Sequence, residues 1–244
     1  MKIGIMQPYF FPYPGYFSLI AQCDTWVVFD VPQYIRHGWV NRNRILHPKE
    51  GWQYIVVPLE KHSRNTAICD IRISRTVNWP EKILRQIEHY KKRAPFYDGT
   101  AAFLENCLKS EADSLVALNI ELLHLTCTRI GIDFAPQIAS QLPINTGLIN
   151  GPGDWALVIS ELLGASEYIN PPGGAHLFDA DAFEKAGIKL TIQDYESMRY
   201  SCPGYGNVPD LSIIDALMWN PADTIRKHLL EAAQPQGRRA GAEN

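Results

Sequence analysis

Between Gln7 and Arg44 the chain reads QPYFFPYPGYFSLIAQCDTWVVFDVPQYIRHGWVNRNR, and its residue types are those that grip ligands. Core segments are built from apolar side chains and surface loops from small polar ones. This stretch instead concentrates prolines, tyrosines and arginines in two clusters. In the first, Pro8, Pro12 and Pro14 fix the backbone, and Gly15 opens a helix whose unpaired N–H groups suit an anion. Gln7, Tyr13 and Tyr16 add an amide and two phenols for hydrogen bonding, with rings that stack on a planar base. An aromatic–proline cluster that merely fills the end of a sheet is the simpler alternative.

The second cluster runs from Val31 to Lys49 and contains Arg36, Arg42, Arg44 and Lys49 without a single carboxylate. Guanidinium forks bind phosphate oxygens bidentately and stay charged when partly buried. Gln33, Tyr34, Asn41 and Asn43 supply amide and phenol groups suited to a sugar or a base edge. Lysines along a helix would be an ordinary solvated face. Arginines interleaved with Trp39, Asn41 and Asn43 in a non-periodic loop point to a phosphate-bearing ligand instead. Asp30, closing an apolar strand, is placed either to reach a ribose or amine or to cap the next turn. His37 is either a packed or surface histidine or the candidate for proton transfer. The other six histidines are dispersed without an H-x-x-x-H pair, so no protein-bound metal site is expected.

These clusters need elements to position them. Lys2–Met6 is a short apolar strand, Gly15–Gln22 a helix and Thr25–Asp30 a second strand, which together make a βαβ unit. Trp52–Leu59 reads as a third strand with Ile68–Ile73 as its hairpin partner. A helix follows Asn78, capped through Glu81, then Ala101–Lys109, then the long Ser114–Ile130, which Gly131 stops. Strand-like Phe134–Ser140, Glu167–Ile169 and Ile188–Asp194 alternate with helices over Gly153–Leu163 and Asp179–Ala186. Two helices, Leu211–Trp219 and Pro221–Ala233, close the chain. The alternation predicts a three-layer α/β/α fold with a largely parallel sheet and extra helices, and ligands beyond the carboxyl ends of its strands. Loops after Met6, Asp30, Ser140 and Ile169 are the candidates. Tyr168 and Asn170, before Pro-Pro-Gly-Gly, and the irregular Arg199–Asp215 with Ser212 are expected to close the site. There is no G-x-S-x-G, P-loop or G-x-G-x-x-G, and Cys202 has no local partner that would make it a nucleophile.

Composition bounds the rest. With 244 residues, 46% hydrophobic and 20% charged, the chain is an ordinary globular protein, read as one α/β domain over 1–233 with a mobile tail over 234–244. A net charge of -3 and a pI near 6.2 argue against a duplex-DNA binder. Five scattered cysteines without C-x-x-C suggest a reducing cytoplasm. The start, MKIGIMQPYFFP, has too short an apolar run for a signal peptide, and no segment approaches the about 20 apolar residues of a membrane span.

The runs IMQPYFFPYPGYFSLI and VVFDVPQYIRHGWVNRNRIL, with the later YINPPGG, FEKAGI and LSIIDAL, resemble the WbqC-like family to about Leu217. That resemblance implies a place in bacterial O-antigen or other surface-polysaccharide synthesis, acting on an amino sugar with transfer of glycine or another aminoacyl group. The implied partners are a nucleotide-linked amino sugar, an aminoacyl donor and other enzymes of the same pathway. The pattern strand, P-x-x-x-P-Y-P-G-Y, helix, strand is also similar to the H-x-G-H nucleotidylyltransferases, including pantothenate synthetase. This implies a Rossmann-like (HUP-like) fold. The two motif histidines would fall on Tyr13 and Tyr16, whose neutral phenols cannot become cationic as imidazole can.

Together these readings cast Arg36, Arg42 and Arg44 as the diphosphate site and Tyr13, Tyr16 and Tyr34 as the base or sugar pocket. Asp30 or His37 takes a proton, and N–H groups near Gly15 serve an oxyanion. Pro8, Gln7, Gln33, Asn41, Asn43, Tyr168 and Asn170 complete the binding surface. No tightly bound cofactor is expected. ATP with Mg²⁺, or a charged tRNA, would supply the acyl group. Nucleotidyl transfer with pyrophosphate release and non-catalytic nucleotide-sugar binding are the alternatives.

Overall fold

Five parallel strands form the central sheet, with the first strand of the chain in its middle. The computed structural model describes residues 1–232. In chain order the elements are β1 (Lys2–Met6), α1 (Pro14–Ile20), β2 (Thr25–Val28), β3 (Arg42–Leu46), β4 (Trp52–Val56), α2 (Trp79–Ile87), α3 (Tyr97–Cys107), α4 (Leu115–Ile130), β5 (Pro136–Ile138), α5 (Asp154–Leu162), β6 (Glu167–Asn170), α6 (Ala180–Lys185), β7 (Lys189–Ile192), α7 (Ile213–Trp219) and α8 (Ala222–Ala232). The sheet order is β5-β2-β1-β6-β7, and Ile3 lies between Thr25 on β2 and Tyr168 on β6.

Strands covered on both faces read as continuous apolar runs, and β1 and β2 do so because helices pack on each side. Ile3, Ile5, Val27 and Tyr168 face α5 and α6 through Ile159 and Phe183. Trp26, Val28 and Ile169 belong to a larger core with α1, α4 and α8, including Phe17, Leu122 and Leu229. The result is a three-layer, Rossmann-like α/β fold. Gly4 leaves room for the turn after α1 and for the neighbouring strand's indole: a Cβ there would come within 2.8 Å of Cys23 Sγ and the Trp26 ring. The helix signals read from the sequence operate as expected. Asn78 accepts the Glu81 N–H, Ser114 the Ala117 N–H, and Gly131 ends α4 with φ 70°.

The hairpin differs from expectation. Trp52–Val56 pairs with Arg42–Leu46, in antiparallel register with Arg44 opposite Tyr54, whereas Ile68–Asp70 is a 3₁₀ turn. Of the expected Ile68–Ile73 pairing only a single bridge, Leu59 to Ile73, forms. Arg-Asn-Arg-Ile-Leu lacks the β-branched run that marks a strand. It becomes one because Asn43 and Ile45 turn inward together, a tertiary reason rather than a propensity. The 234–244 stretch read as a tail lies outside the described residues. Among the described residues no helix is long and apolar enough to cross a membrane.

Candidate functional site

The chain leaves β1 toward β2 on one side, and later places β6 on the other side of β1. That reversal is a topological switch point, where diverging loops open a crevice at the carboxyl ends of the strands. A cleft of about 580 Å³ lies there, between the Met6–Gln7 turn and the Asn170–Gly174 turn. Its inner wall is aromatic, with Phe29 and Trp155 edge to face at 5.6 Å. The opposite wall is polar and comes from the first loop and the β3 hairpin.

Six of the residues singled out from sequence line this cleft: Gln7, Tyr13, Asn43, Arg44, Tyr168 and Asn170. Arg44 is the cation among them. Its guanidinium sits between the rings of Trp39 and Trp52, at 5.3 and 5.4 Å from their centroids. Its Nη2 donates to the Asp210 carbonyl at 3.1 Å, while its Nε is buried with no hydrogen-bond partner among the described residues. The Tyr13 phenol is pushed up to about 12, first by burial and then by the charge of Asp210, so it remains a neutral O–H donor at neutral pH.

Asn43, Tyr168 and Asn170 shape the walls. The Asn43 amide donates to the carbonyls of Phe10 and Phe11 at 3.1 and 2.9 Å, tying the first loop to β3. Tyr168 donates to Asn170 Oδ1 at 2.8 Å, and Asn170 Nδ2 donates to the Pro171 carbonyl, setting the Pro-Pro-Gly-Gly turn.

Other residues of the first loop stand behind the cleft. Tyr16 is fully buried, packs edge to face with Trp26, and donates to the Gln7 carbonyl at 2.9 Å. The Pro8 carbonyl accepts from the buried Asn119 at 2.7 Å. Gly15 is required for packing: a Cβ would lie 2.3 Å from the Tyr13 ring and 2.7 Å from Tyr195. Those two rings cover the start of a helix only seven residues long, so the anion expected at Gly15 has no room there.

The arginine cluster separates. Arg36, His37, Asn41, Arg42 and Tyr34 line a different, shallow groove beside β4, together with His62. His37 is left-handed at φ 68°, and Arg42 donates to the His37 and Gly38 carbonyls while stacking 4.0 Å over Tyr54. Tyr34 donates to Asn41 at 2.8 Å. Gln33 donates to the Arg64 carbonyl at 2.7 Å. Asp30, 1% exposed, accepts from the Ser140 N–H at 2.9 Å and its hydroxyl at 2.7 Å. It therefore joins the loop after β2 to the turn after β5 and does not face the cleft, leaving those two loops tied to one another.

The third wall is in part the segment expected to close the site: Asp210 lies within Arg199–Asp215, while Tyr195 and Ser197 precede it. The segment after β7 folds back as a strap whose Tyr195, Ser197 and Asp210 line the cleft. Asp215 anchors it from α7, accepting from Tyr90 at 2.5 Å and Tyr200 at 2.7 Å. The Tyr90 hydroxyl in turn accepts from the Leu46 N–H on β3 at 2.9 Å. Burial outweighs these hydrogen bonds and raises the Asp215 carboxyl to about 6. Ser212 caps α7 and donates to the Phe11 carbonyl at 2.7 Å. Trp39, named with the arginines of the second cluster, lines the cleft as well, whereas Phe29 and Trp155 carry no sequence signal, because aromatic residues in apolar surroundings look like core. Burial raises the thiols of Cys23, Cys107, Cys127 and Cys202 to about 12, which leaves them poor nucleophiles at neutral pH.

The family model described as WbqC-like protein family matches residues 7–227. An uncharacterized protein of Mycobacterium tuberculosis, Rv1507c, is 30% identical over 219 residues, covering 88% of this chain and 92% of that protein. No solved structure matches. The matched span takes in the first loop from Gln7 onward, the hairpin, the Pro-Pro-Gly-Gly turn and the strap. The chain belongs to the WbqC-like family.

Proposed function

We propose that the switch-point cleft binds a nucleotide-linked amino sugar and that the protein transfers glycine or another aminoacyl group to the sugar's amine during bacterial surface-polysaccharide synthesis. Arg44 carries this reading. It is a guanidinium braced between two indoles at the strand ends, with its Nε unpartnered, facing an aromatic wall. Phosphates sit on Arg44, and Phe29 and Trp155 offer ring faces and edges to a base or sugar. Acyl transfer needs an amine that gives up its proton before attack and a stabilised carbonyl oxygen. The neutral Tyr13 phenol is the donor suited to that oxygen. The acyl group comes from a charged tRNA or from an adenylate made with ATP, any Mg²⁺ riding on substrate phosphates. On this reading the protein works in the cytoplasm beside other enzymes of the same pathway.

One observation favours a second reading, a non-catalytic nucleotide-sugar carrier. Asp30 and His37, the expected proton acceptors, lie outside the cleft, and the raised thiols supply no nucleophile. Incubation of the protein with UDP-glucosamine, glycine, ATP and Mg²⁺, and in parallel with glycyl-tRNA, separates them by mass spectrometry of the sugar. A glycyl mass increment supports transfer. Tight binding without turnover in both mixtures supports the carrier, and pyrophosphate release independent of glycine supports nucleotidyl transfer. Absence of any nucleotide-sugar binding overturns all three.

A further inference from the structure

We infer that Asp210 is the specificity residue of the cleft, recognising a cationic amine on a ligand whose phosphate lies on Arg44; the phosphate half rests on the reading above. Arg44 and Asp210 are the charged side chains lining the cleft. They do not neutralise each other. Arg44 donates to the Asp210 backbone carbonyl at 3.1 Å, and among the described residues the Asp210 carboxylate forms no ion pair. The cleft thus presents one positive and one negative charge side by side, the pattern complementary to a phosphate and an ammonium on one ligand.

The backbone at Asp210 is held in an unusual state to achieve this. Its φ of 53° is left-handed, a conformation that side-chain-bearing residues other than Asn and Asp rarely adopt. Two hydrogen bonds fix that conformation: Arg44 holds the carbonyl while Ser197 Oγ donates to Oδ1 at 2.7 Å. The rings of Tyr13 and Tyr195, 6.1 Å apart, stand within electrostatic reach of the carboxylate, whose charge helps to raise both phenols. A carboxylate beside two electron-rich rings has the composition of an ammonium site.

Paired titrations of the full chain with UDP-glucosamine and UDP-N-acetylglucosamine test the inference, because acetylation removes the positive charge and leaves the phosphates. The wild type is expected to bind the free amine at least about tenfold more tightly. Asp210→Asn, which keeps the left-handed preference, abolishes that discrimination. Asp210→Gly does the same while relieving the backbone, so lost folding cannot mimic the result. Arg44→Ala weakens both ligands alike. Equal binding of the two ligands by the wild type, or discrimination retained in both Asp210 variants, overturns the inference. An unchanged Arg44→Ala variant overturns only the phosphate assignment. Should neither nucleotide bind, glucosamine 1-phosphate against its N-acetyl form decides the amine question, and equal affinities or no binding there overturn it.

Discussion

Arg42 and Arg44 stand two residues apart on β3 and, by strand alternation, on the same face of the hairpin, yet they serve different regions. In the shallow groove beside β4, Arg42 closes the His37–Gly38 turn through carbonyls of its own loop and lies over Tyr54. In the switch-point cleft, Arg44 meets two indole rings and one carbonyl, and its Nε has no partner among the described residues. The difference lies in how many donors the fold has already engaged. A guanidinium committed to its own backbone is a structural clamp. One set against flat, non-competing surfaces has donors that its own fold leaves unengaged. The same contrast separates Asp30, which is bonded twice to Ser140, from Asp210, which shares one oxygen with Ser197 within the strap.

The largest effect that would sharpen this comparison concerns the strap completing the cleft. Asp215 is buried with its carboxyl raised to about 6, from 3.8 when solvated. The folded protein therefore holds a proton there that the unfolded chain releases. The contribution is fully present below about pH 4, is lost as pH rises through 6, and is flat above. The gap corresponds to on the order of 3 kcal/mol. Chemical denaturation of wild type and Asp215→Asn between pH 4 and 7 should show this falling term in the difference between them. A pH-independent difference would remove Asp215 as a titrating anchor.

Next comes Arg44→Ala, expected to reduce affinity for UDP-glucosamine by about tenfold to a hundredfold, the range of a lost charged hydrogen bond. Calorimetric titration at two salt concentrations checks it, and affinity within a factor of about two would break the contrast between the arginines. Ser140→Ala should lower stability by about 1–2 kcal/mol by leaving a buried Asp30 oxygen unpaired, with cleft affinity untouched. A matching loss of ligand binding would return Asp30 to the site. The smallest effect belongs to Arg42→Ala, about 1 kcal/mol of stability with affinity within about twofold. Thermal denaturation beside the same titration measures both, and a binding loss equal to that of Arg44→Ala would merge the two regions into one.

Much of the scaffold was legible because its signals are local. A strand buried on both faces has to be apolar throughout, as Ile3–Ile5 and Trp26–Val28 are. A helix start wants a side-chain acceptor, as Asn78 and Ser114 provide, and a left-handed stop wants Gly131. The β3 strand was missed for the opposite reason. Arg42-Asn43-Arg44 carries no strand propensity, and its pairing follows from Asn43 reaching the Phe10 and Phe11 carbonyls more than thirty residues away. The segment from Arg199 to Asp215 is expected from its irregular composition to close the site, but nothing local in Tyr195, Ser197 or Asp210 shows which wall they complete.

Residue types alone thus determined that a segment rich in prolines, phenols and guanidiniums sits at the ends of parallel strands, because the apolar runs on either side of it read as buried strands. They also determined the family, through motifs spread along most of the chain. Only the tertiary structure decided which of those groups keep their hydrogen-bonding capacity. Tyr16, Asn43, Asp30 and Arg42 lost theirs to partners in their own fold. Tyr13 and Arg44 were placed on one cleft with Asp210, a residue from the far end of the sequence. A hydrogen bond is spent once, and sequence lists the donors and acceptors without saying which of them have already met.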